Sequence, residues 1–188
     1  MQKLSKWILN ISGWKAFSTV DEPSKSVICV APHTSNWDFL IGELSYWSIG
    51  RKSSFLMKKS WFIFPLKYLL SALGGVAVDR SKSNSITQQM VEEFEKREYF
   101  HLAITPEGTR SLVTNWKMGF YYIALNAKIP IQLAYIDYAK KELAIKELFY
   151  PTGDEAKDFA HIQDYYKDIQ ARFPEKFNLS NTNRKAKL

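Results

Sequence analysis

The chain has few histidines and almost no cysteine. Its 188 residues include one cysteine, Cys29, and three histidines. A single cysteine excludes an internal disulfide and a cysteine-ligated zinc site, and it is compatible with a reducing compartment. The histidines stand at positions 33, 101 and 161, without the spacing of metal ligands. We therefore expect neither a metal centre nor a disulfide framework.

Several catalytic and targeting motifs are also absent. The sequence has no G-x-S-x-G nucleophile elbow and no lysine-containing phosphate loop. Residues 1–17 lack the apolar stretch and the cleavage site of a signal peptide. The most apolar run, residues 61–78, is interrupted by one proline, one lysine and two glycines. We interpret this run as a helix, a turn and a strand rather than a membrane span.

Positive charge exceeds negative charge. There are 26 Lys and Arg against 19 Asp and Glu, which gives a net charge of +7 and a pI of about 9.3. A basic surface attracts anionic partners such as phospholipid head groups, nucleic acid or an acidic carrier protein. No nucleic-acid-binding motif is present, and basic residues concentrate only in the tail, residues 176–188, which we predict to be flexible. We therefore disfavour nucleic acid as a partner.

Strand-like apolar runs alternate with helical patterns along residues 21–175. The predicted strands are 27–31, 53–57, 76–78, 100–105 and 130–138, with 141–149 as a hairpin partner of the last. Helical spacing predicts helices at 37–47, at 86–94 with Asn84 as its cap, at 115–127 and at 159–173. The alternation predicts a single α/β domain with a largely parallel central sheet flanked by helices.

Residues 1–20 are predicted to form a short N-terminal amphipathic helix. Its apolar residues at helical spacing and its flanking lysines are Leu4, Trp7, Ile8, Ile11 and Trp14, with Lys3, Lys6 and Lys15. The apolar stripe can pack on the domain, or it can lie in a membrane interface with the lysines at the head groups. The sequence does not separate these two interpretations.

The string His33-Thr34-Ser35-Asn36-Trp37-Asp38 follows the first predicted strand. Catalytic groups in α/β folds often stand where a strand ends and a helix begins. A neutral imidazole can take a proton from a hydroxyl, and a carboxylate one helical turn away can fix its tautomer. Asp38 also fits a capping box with Ser35, so the spacing alone leaves a purely structural role open.

The string Pro106-Glu107-Gly108-Thr109-Arg110-Ser111 follows another predicted strand. Gly108 allows the backbone to approach a ligand closely, and the Arg110 guanidinium can bind a phosphate through two hydrogen bonds. A tight turn with a surface ion pair is the structural alternative. Two further cations, Lys58 and Arg80, stand at predicted strand ends, where they can assist in binding an anion.

Four blocks in this order resemble the glycerophospholipid acyltransferase family, which includes the 1-acylglycerol-3-phosphate acyltransferases. The blocks are the H-x-x-x-x-D string 33–38, residues 75–80, the PEGTRS string 106–111, and the proline-led apolar strand that begins at residue 130. The PEGTRS string is the most specific of the four. Together the blocks span most of the predicted domain.

The resemblance implies transfer of a fatty acyl group from acyl-CoA or acyl carrier protein to a hydroxyl of a lysophospholipid-like acceptor, with lysophosphatidate first among the acceptors. It implies no cofactor, His33 as general base and Asp38 as its partner. The site residues that it implies for the acceptor phosphate are Glu107, Gly108, Thr109, Arg110, Arg80 and Lys58. A peripheral position on the inner, cytoplasmic face of the cell membrane is expected. A non-glycerol lipid acceptor and a non-catalytic lipid-binding protein are the alternatives.

Overall fold

Seven strands form one sheet in the computed structural model, which describes residues 1–79 and 85–179. The strands are β1 (Lys15–Ser18), β2 (Lys25–Ala31), β3 (Ser54–Lys58), β4 (Gly75–Val78), β5 (Phe100–Ile104), β6 (Ile131–Asp137) and β7 (Glu142–Phe149). The helices are α1 (Gln2–Ile11), α2 (Asn36–Ser48), α3 (Leu66–Ala72), α4 (Ile86–Lys96), α5 (Gly119–Ala127) and α6 (Glu155–Tyr166). Two short 3-10 helices span Lys59–Trp61 and Pro174–Lys176.

The sheet is parallel over five of its seven strands. The strand order is β1-β7-β6-β2-β5-β3-β4, and every neighbouring pair from β6 to β4 is parallel. Among the described strands, β6 and β7 pair antiparallel, and β1 runs parallel to β7. The predicted α/β class with a largely parallel sheet is therefore confirmed. Because parallel strands point the same way, the loops after β2, β3, β5 and β6 all leave from one edge of the sheet.

The two faces of the sheet are covered differently. On β2, Val27 and Cys29 point into the larger apolar cluster, which includes side chains of α4, α5 and α6. Ile28 points to the other face, where it packs against Tyr46 of α2. This alternation follows from the two-residue period of a strand. The α2 face holds only small apolar clusters, and this leaves space for a cavity between α2 and the sheet.

Some boundaries differ from the predicted ones. The N-terminal helix ends at Ile11, because Gly13 adopts a positive φ of 76°, and residues 15–18 then form the edge strand β1. Helix α6 ends at Tyr166, although the apolar period continues to Phe173. Asn84 lies outside the described residues, and the side chain of Ser85 caps α4 by accepting a hydrogen bond from the backbone of Gln88.

The C-terminal segment begins as packed chain. Phe177 and Leu179 contact the larger core cluster, and the Trp116 indole donates a hydrogen bond to the Asn178 carbonyl at 3.0 Å. The remainder of the predicted flexible tail lies outside the described residues. Within the described part of the chain, none of the helices combines the length and apolar character needed to cross a bilayer.

Candidate active site

The carboxyl edge of the sheet joins the two motifs. Strands β2 and β5 are parallel neighbours with Cys29 opposite Ile104, so the loops that follow them start side by side. The Glu107 carboxylate accepts a hydrogen bond from the backbone N–H of His33 at 2.8 Å. Residues that are 74 positions apart in sequence thus form one structure at this edge.

Asp38 is the centre of the first motif. Its Oδ2 lies 3.4 Å from His33 Nδ1 and accepts hydrogen bonds of 2.7 Å from the backbone N–H groups of Thr34 and Ser35. Its side chain is 1 % exposed. Burial alone raises the pKa of Asp38, but the hydrogen bonds from His33, Tyr138 and the two backbone groups outweigh burial and hold the pKa below its usual value. The carboxylate therefore stays ionised beside the imidazole.

The capping box expected as the structural alternative is also present. Ser35 is the N-cap of α2, Asp38 is its third residue, and the two make the reciprocal capping bonds. One carboxylate therefore begins the helix and also faces the histidine. The structural and the catalytic interpretation of Asp38 are compatible, because Oδ2 serves several donors at once.

Tyr138 is a site residue that the sequence motifs do not indicate. Its hydroxyl donates a hydrogen bond of 2.6 Å to Asp38 Oδ1, the oxygen that does not face His33. The Tyr138 ring packs edge-on against Trp14, and the Arg172 guanidinium lies 5.9 Å from the ring centroid. Tyr138 is the first residue after β6, so its position at the carboxyl edge of the sheet is the signal that could have identified it.

Glu107 has a supporting position, although the resemblance implies that it binds an acceptor phosphate. The residue is 2 % exposed, and its Oε2 has no hydrogen-bond partner within the described ranges. Burial raises the pKa of Glu107 to about 6, against hydrogen bonds from the backbone that lower it. A buried carboxylate repels an anion and is out of its reach, so the contact that Glu107 makes is with the loop that carries His33.

The exposed part of the second motif is the turn that contains Gly108. Gly108 has a φ of +64°, in the region that favours glycine. A Cβ at this position would lie 2.9 Å from Lys117 Nζ, so the lysine amino group lies directly against the turn. Thr109 Oγ1 accepts a hydrogen bond from the backbone of Ser111 at 3.4 Å. The motifs did not indicate Lys117, since it comes nine positions after Gly108 in a loop of mixed polar and apolar residues.

The predicted cations occupy different places. Arg110 is exposed and lines the cavity that His33 also lines. Lys58 is exposed at the end of β3 and is not among the residues that line this cavity. Arg80 lies outside the described residues. The structure therefore brings Arg110 to the cavity that His33 lines, and Lys117 lies against the neighbouring Gly108 turn.

A cavity of about 420 Å³ opens beside the histidine, between α2 and the sheet. His33, Asp38, Gly108 and Arg110 line the end of the cavity at the carboxyl edge of the sheet, which we call its mouth. The interior is largely apolar and is lined, among others, by Ile28, Val30, Phe39, Phe55, Leu56, Ala103, Ala134 and Leu143. An apolar cavity with a few polar groups at its mouth fits a ligand with an alkyl chain and a polar head.

A Ser–His–Glu group lies towards the opposite edge of the sheet from His33. Ser26 Oγ is 2.7 Å from His101 Nδ1, and Glu22 lies 3.6 Å from the other ring nitrogen. Ser26 and His101 are at most 1 % exposed, and burial lowers the pKa of His101 to about 4. A substrate cannot reach this serine, and the group is a buried network with Gln132.

The geometry of the site supports proton transfer by His33. With Nδ1 towards Asp38, the neutral ring carries its proton on Nδ1 and leaves the lone pair of Nε2 able to accept a proton. The Glu107 carboxylate holds the backbone of His33 in place by accepting a hydrogen bond from its N–H group. Among the described residues, no cluster of His, Cys, Asp or Glu could hold a metal ion.

Replacement of Glu107 by Gln tests the buried carboxyl. Burial disfavours its ionised form in the folded protein, so the wild type loses stability as the pH rises from about 4.5 to about 6, and the loss persists at pH 7. Gln can still accept the hydrogen bond from the His33 N–H. We expect Glu107→Gln to match the wild type at pH 4 and to exceed it at pH 7 by up to about 2 kcal/mol in the free energy of unfolding, measured with urea. A variant that is less stable than the wild type at pH 7 would contradict this account.

Comparisons with known proteins agree with this geometry. The family model described as Acyltransferase matches residues 12–136, two thirds of the chain, and includes both motifs. The crystal structure of the 1-acyl-sn-glycerophosphate acyltransferase PlsC from Thermotoga maritima is similar in fold, with a TM-score of 0.57 and 17 % identity over 87 % of this chain and 74 % of that chain. A comparison with curated proteins found no significant match. Asp38 faces the histidine, the PEGTR turn lies beside it, and the family model covers both strands that precede these motifs. The chain therefore belongs to the acyltransferase family.

Proposed function

We propose that this protein transfers a fatty acyl group from a thioester donor to a hydroxyl of a lysophospholipid-like acceptor, with lysophosphatidate as the first candidate. The observation that supports this most directly is the placement of His33. Its Nδ1 faces a buried, ionised Asp38, while its side chain lines the mouth of an apolar cavity together with Arg110. A base, an anion-binding side chain and a compartment for an alkyl chain therefore meet at one point.

The mechanism follows from these contacts. His33 Nε2 accepts the proton of the acceptor hydroxyl as that oxygen attacks the thioester carbonyl, and Asp38 stabilises the imidazolium. The tetrahedral adduct then expels the thiolate, which takes the proton from His33 and leaves as the free thiol. The acyl group moves directly from sulfur to oxygen without an acyl-enzyme. Acyl-CoA and acyl carrier protein are the two donor classes for this chemistry.

Two cations would recognise the phosphate of the acceptor. The Arg110 guanidinium can form paired hydrogen bonds to a phosphate, and Lys117 adds a point charge on the neighbouring turn. A non-catalytic lipid-binding protein would need this anion site and the cavity, but it would have no use for a histidine oriented by a buried carboxylate. The orientation of His33 favours catalysis over binding alone.

The membrane is the proposed location of the acceptor. The helices on the cavity side of the sheet carry many exposed apolar side chains, which together we call the apolar face: Leu4, Trp7 and Ile11 of α1, Trp37, Phe39 and Leu40 of α2, and Trp61, Ile63, Phe64, Tyr68, Leu69 and Leu73 in and around α3. Helix α1 packs inward through Ser5 and Leu9 instead. This arrangement favours the interfacial interpretation of α1, and it adds a second element around α3 that the helical stripe of α1 did not indicate.

The charge near α3 suits an anionic surface. Residues 44–78 contain five basic residues and no Asp or Glu. Each lysine or arginine near an anionic membrane contributes roughly 1 kcal/mol, screened by salt, while inserted apolar side chains contribute independently of salt. We therefore place the protein peripherally on an anionic membrane, the inner face of the cell membrane, with the apolar face towards the lipid.

Loss of the base should abolish turnover. We expect His33→Ala to reduce the acyl-transfer rate by about 10²–10⁴ while the protein stays folded, because general-base catalysis contributes this much. Asp38→Asn should be similarly severe, since an amide stabilises the imidazolium poorly. The measurement is thiol release from palmitoyl-CoA with lysophosphatidate, and the control is His161→Ala at an exposed histidine. Wild-type turnover in a folded His33→Ala protein would refute the mechanism.

The anion site should affect the acceptor rather than the donor. Arg110→Lys keeps the charge but loses the planar fork, so we expect KM for lysophosphatidate to rise by about tenfold with KM for the thioester nearly unchanged. Arg97→Lys, at an exposed arginine paired with Glu93 on α4, is the matched control. Unchanged acceptor kinetics, or a defect confined to the thioester, would remove Arg110 from the head-group site.

Membrane docking should need both parts of the apolar face. We expect Trp7→Ser/Ile11→Ser in α1 and Phe64→Ser/Leu69→Ser around α3 each to weaken co-sedimentation with phosphatidylglycerol vesicles at least fivefold, because apolar insertion is reduced. Tyr150→Ser, at an exposed apolar side chain away from these helices, should bind as the wild type does. If both double variants remain folded and sediment like the wild type, the apolar face does not bind the membrane.

A further inference from the structure

A carboxyl group without a complete set of partners lies in the wall of the apolar cavity. Glu43 lines this cavity and is 8 % exposed. Its Oε1 accepts a hydrogen bond from Ser53 Oγ at 2.9 Å, and Ser53 also lines the cavity. Its Oε2 is buried and has no hydrogen-bond partner in the described part of the chain. A buried polar atom of this kind is destabilising unless a ligand or water satisfies it.

The position of Glu43 relates it to the proposed base. Both Asp38 and Glu43 are on α2, five residues apart, which corresponds to about 7.5 Å along the helix axis. Phe39 and Gly42 line the cavity between them. A chain whose thioester carbonyl stands at His33 would therefore pass Phe39 before it reaches Glu43. The carboxyl meets the chain at some distance from the reacting carbon.

The chemistry of Glu43 and Ser53 limits the kind of ligand that they can bind. The surroundings are apolar, and burial raises the pKa of Glu43 to about 7, so about half of the carboxyl groups are uncharged at pH 7, and in this form the group can both donate and accept a hydrogen bond. An uncharged hydroxyl group satisfies such a carboxyl without bringing a charge into the cavity. A methylene group in the same place leaves Oε2 without a partner.

We propose that Glu43 and Ser53 form a specificity site that binds a hydroxyl group on the transferred acyl chain. This inference rests on the proposed acyl transfer, and it adds the class of chain: a hydroxylated fatty acyl group in place of a plain one. A site built to hydrogen-bond a hydroxyl discriminates strongly against the analogue that lacks it, because the protein group is then left unpaired. The hydroxyl position that fits is the one that reaches Glu43 when the carbonyl is at His33.

Competition between donors tests the proposal. Equimolar thioesters of one chain length, either plain or with a hydroxyl at successive positions, are offered together with lysophosphatidate, and products are counted by mass spectrometry. We expect one hydroxyl position to be transferred at least about tenfold faster than the plain chain, a difference of about 1.4 kcal/mol. Wild-type protein that uses the plain chain as well as every hydroxylated chain would overturn the proposal.

Variants of Glu43 separate the carboxyl from the cavity as a whole. Glu43→Leu should lose the preference and gain activity on the plain chain, whereas Glu43→Gln should keep much of the preference because an amide can still bind a hydroxyl. Glu95→Leu, at an exposed glutamate of α4, is the matched control and should keep the wild-type ratio. An unchanged ratio in Glu43→Leu would overturn the proposal. Should Glu43→Leu fail to fold, Ser53→Ala and Glu43→Gln still test it through their ratios.

A binding measurement distinguishes failure of this inference from failure of the proposed function. Plain and hydroxylated free fatty acids are titrated into the wild type and Glu43→Leu by calorimetry, which needs no turnover. Tighter binding of a hydroxylated acid to the wild type, lost in Glu43→Leu, supports the site even when no thioester is consumed, and the absence of turnover then refutes only acyl transfer. Equal binding of plain and hydroxylated acids together with normal turnover refutes only the specificity site. If the preference follows a hydroxyl on the acceptor chain instead, the assignment of the cavity to the transferred chain is wrong.

Discussion

The carboxylate of Asp38 is the contact on which the site depends. It accepts hydrogen bonds from the backbone N–H groups of Thr34 and Ser35, just before α2, and from the hydroxyl of Tyr138. It also lies 3.4 Å from the imidazole of His33. These donors come from the loop after β2 and from the residue after β6, so one side chain fixes the positions of two strand ends relative to one another. Because the donors outweigh the effect of burial on its pKa, the group remains an anion where an isolated buried acid would be protonated.

The parallel sheet makes this convergence possible. Strands β5, β2 and β6 are adjacent and point the same way, so Glu107, His33 and Tyr138 leave the sheet at one edge. Glu107 supports His33 from one neighbouring loop, and Tyr138 supports Asp38 from the other. The proposed base is therefore held from both sides by side chains that take no part in the proton transfer themselves.

The sequence was informative where the chemistry is local. His33 and Asp38 belong to one short string, and Gly108 and Arg110 belong to one turn, so the motifs indicate them as candidates, although the spacing alone leaves a structural role open. Tyr138, Lys117 and Glu43 became visible only in the fold, since each is recognised by a partner or a cavity that distant segments create.

Fold prediction failed at the ends of elements for similar reasons. The hydrophobic period of α6 continues past Tyr166, but the later apolar residues serve loop packing rather than helix. Strand β1 is short and lies at the edge beside β7, so little in its sequence marks it as a strand. In both places long-range packing, rather than the local sequence pattern, decides the backbone conformation.

The unequal filling of the two sheet faces has a consequence for how such a protein can diversify. The larger apolar cluster, with α4, α5 and α6, lies on the face away from the cavity, and the α2 face contributes only small clusters. Most of the apolar core and the cavity thus lie on opposite faces of the sheet. Under the proposed function, substitutions along α2 and β3 would change the shape of the cavity that receives the chain while the larger cluster on the other face still holds the domain together.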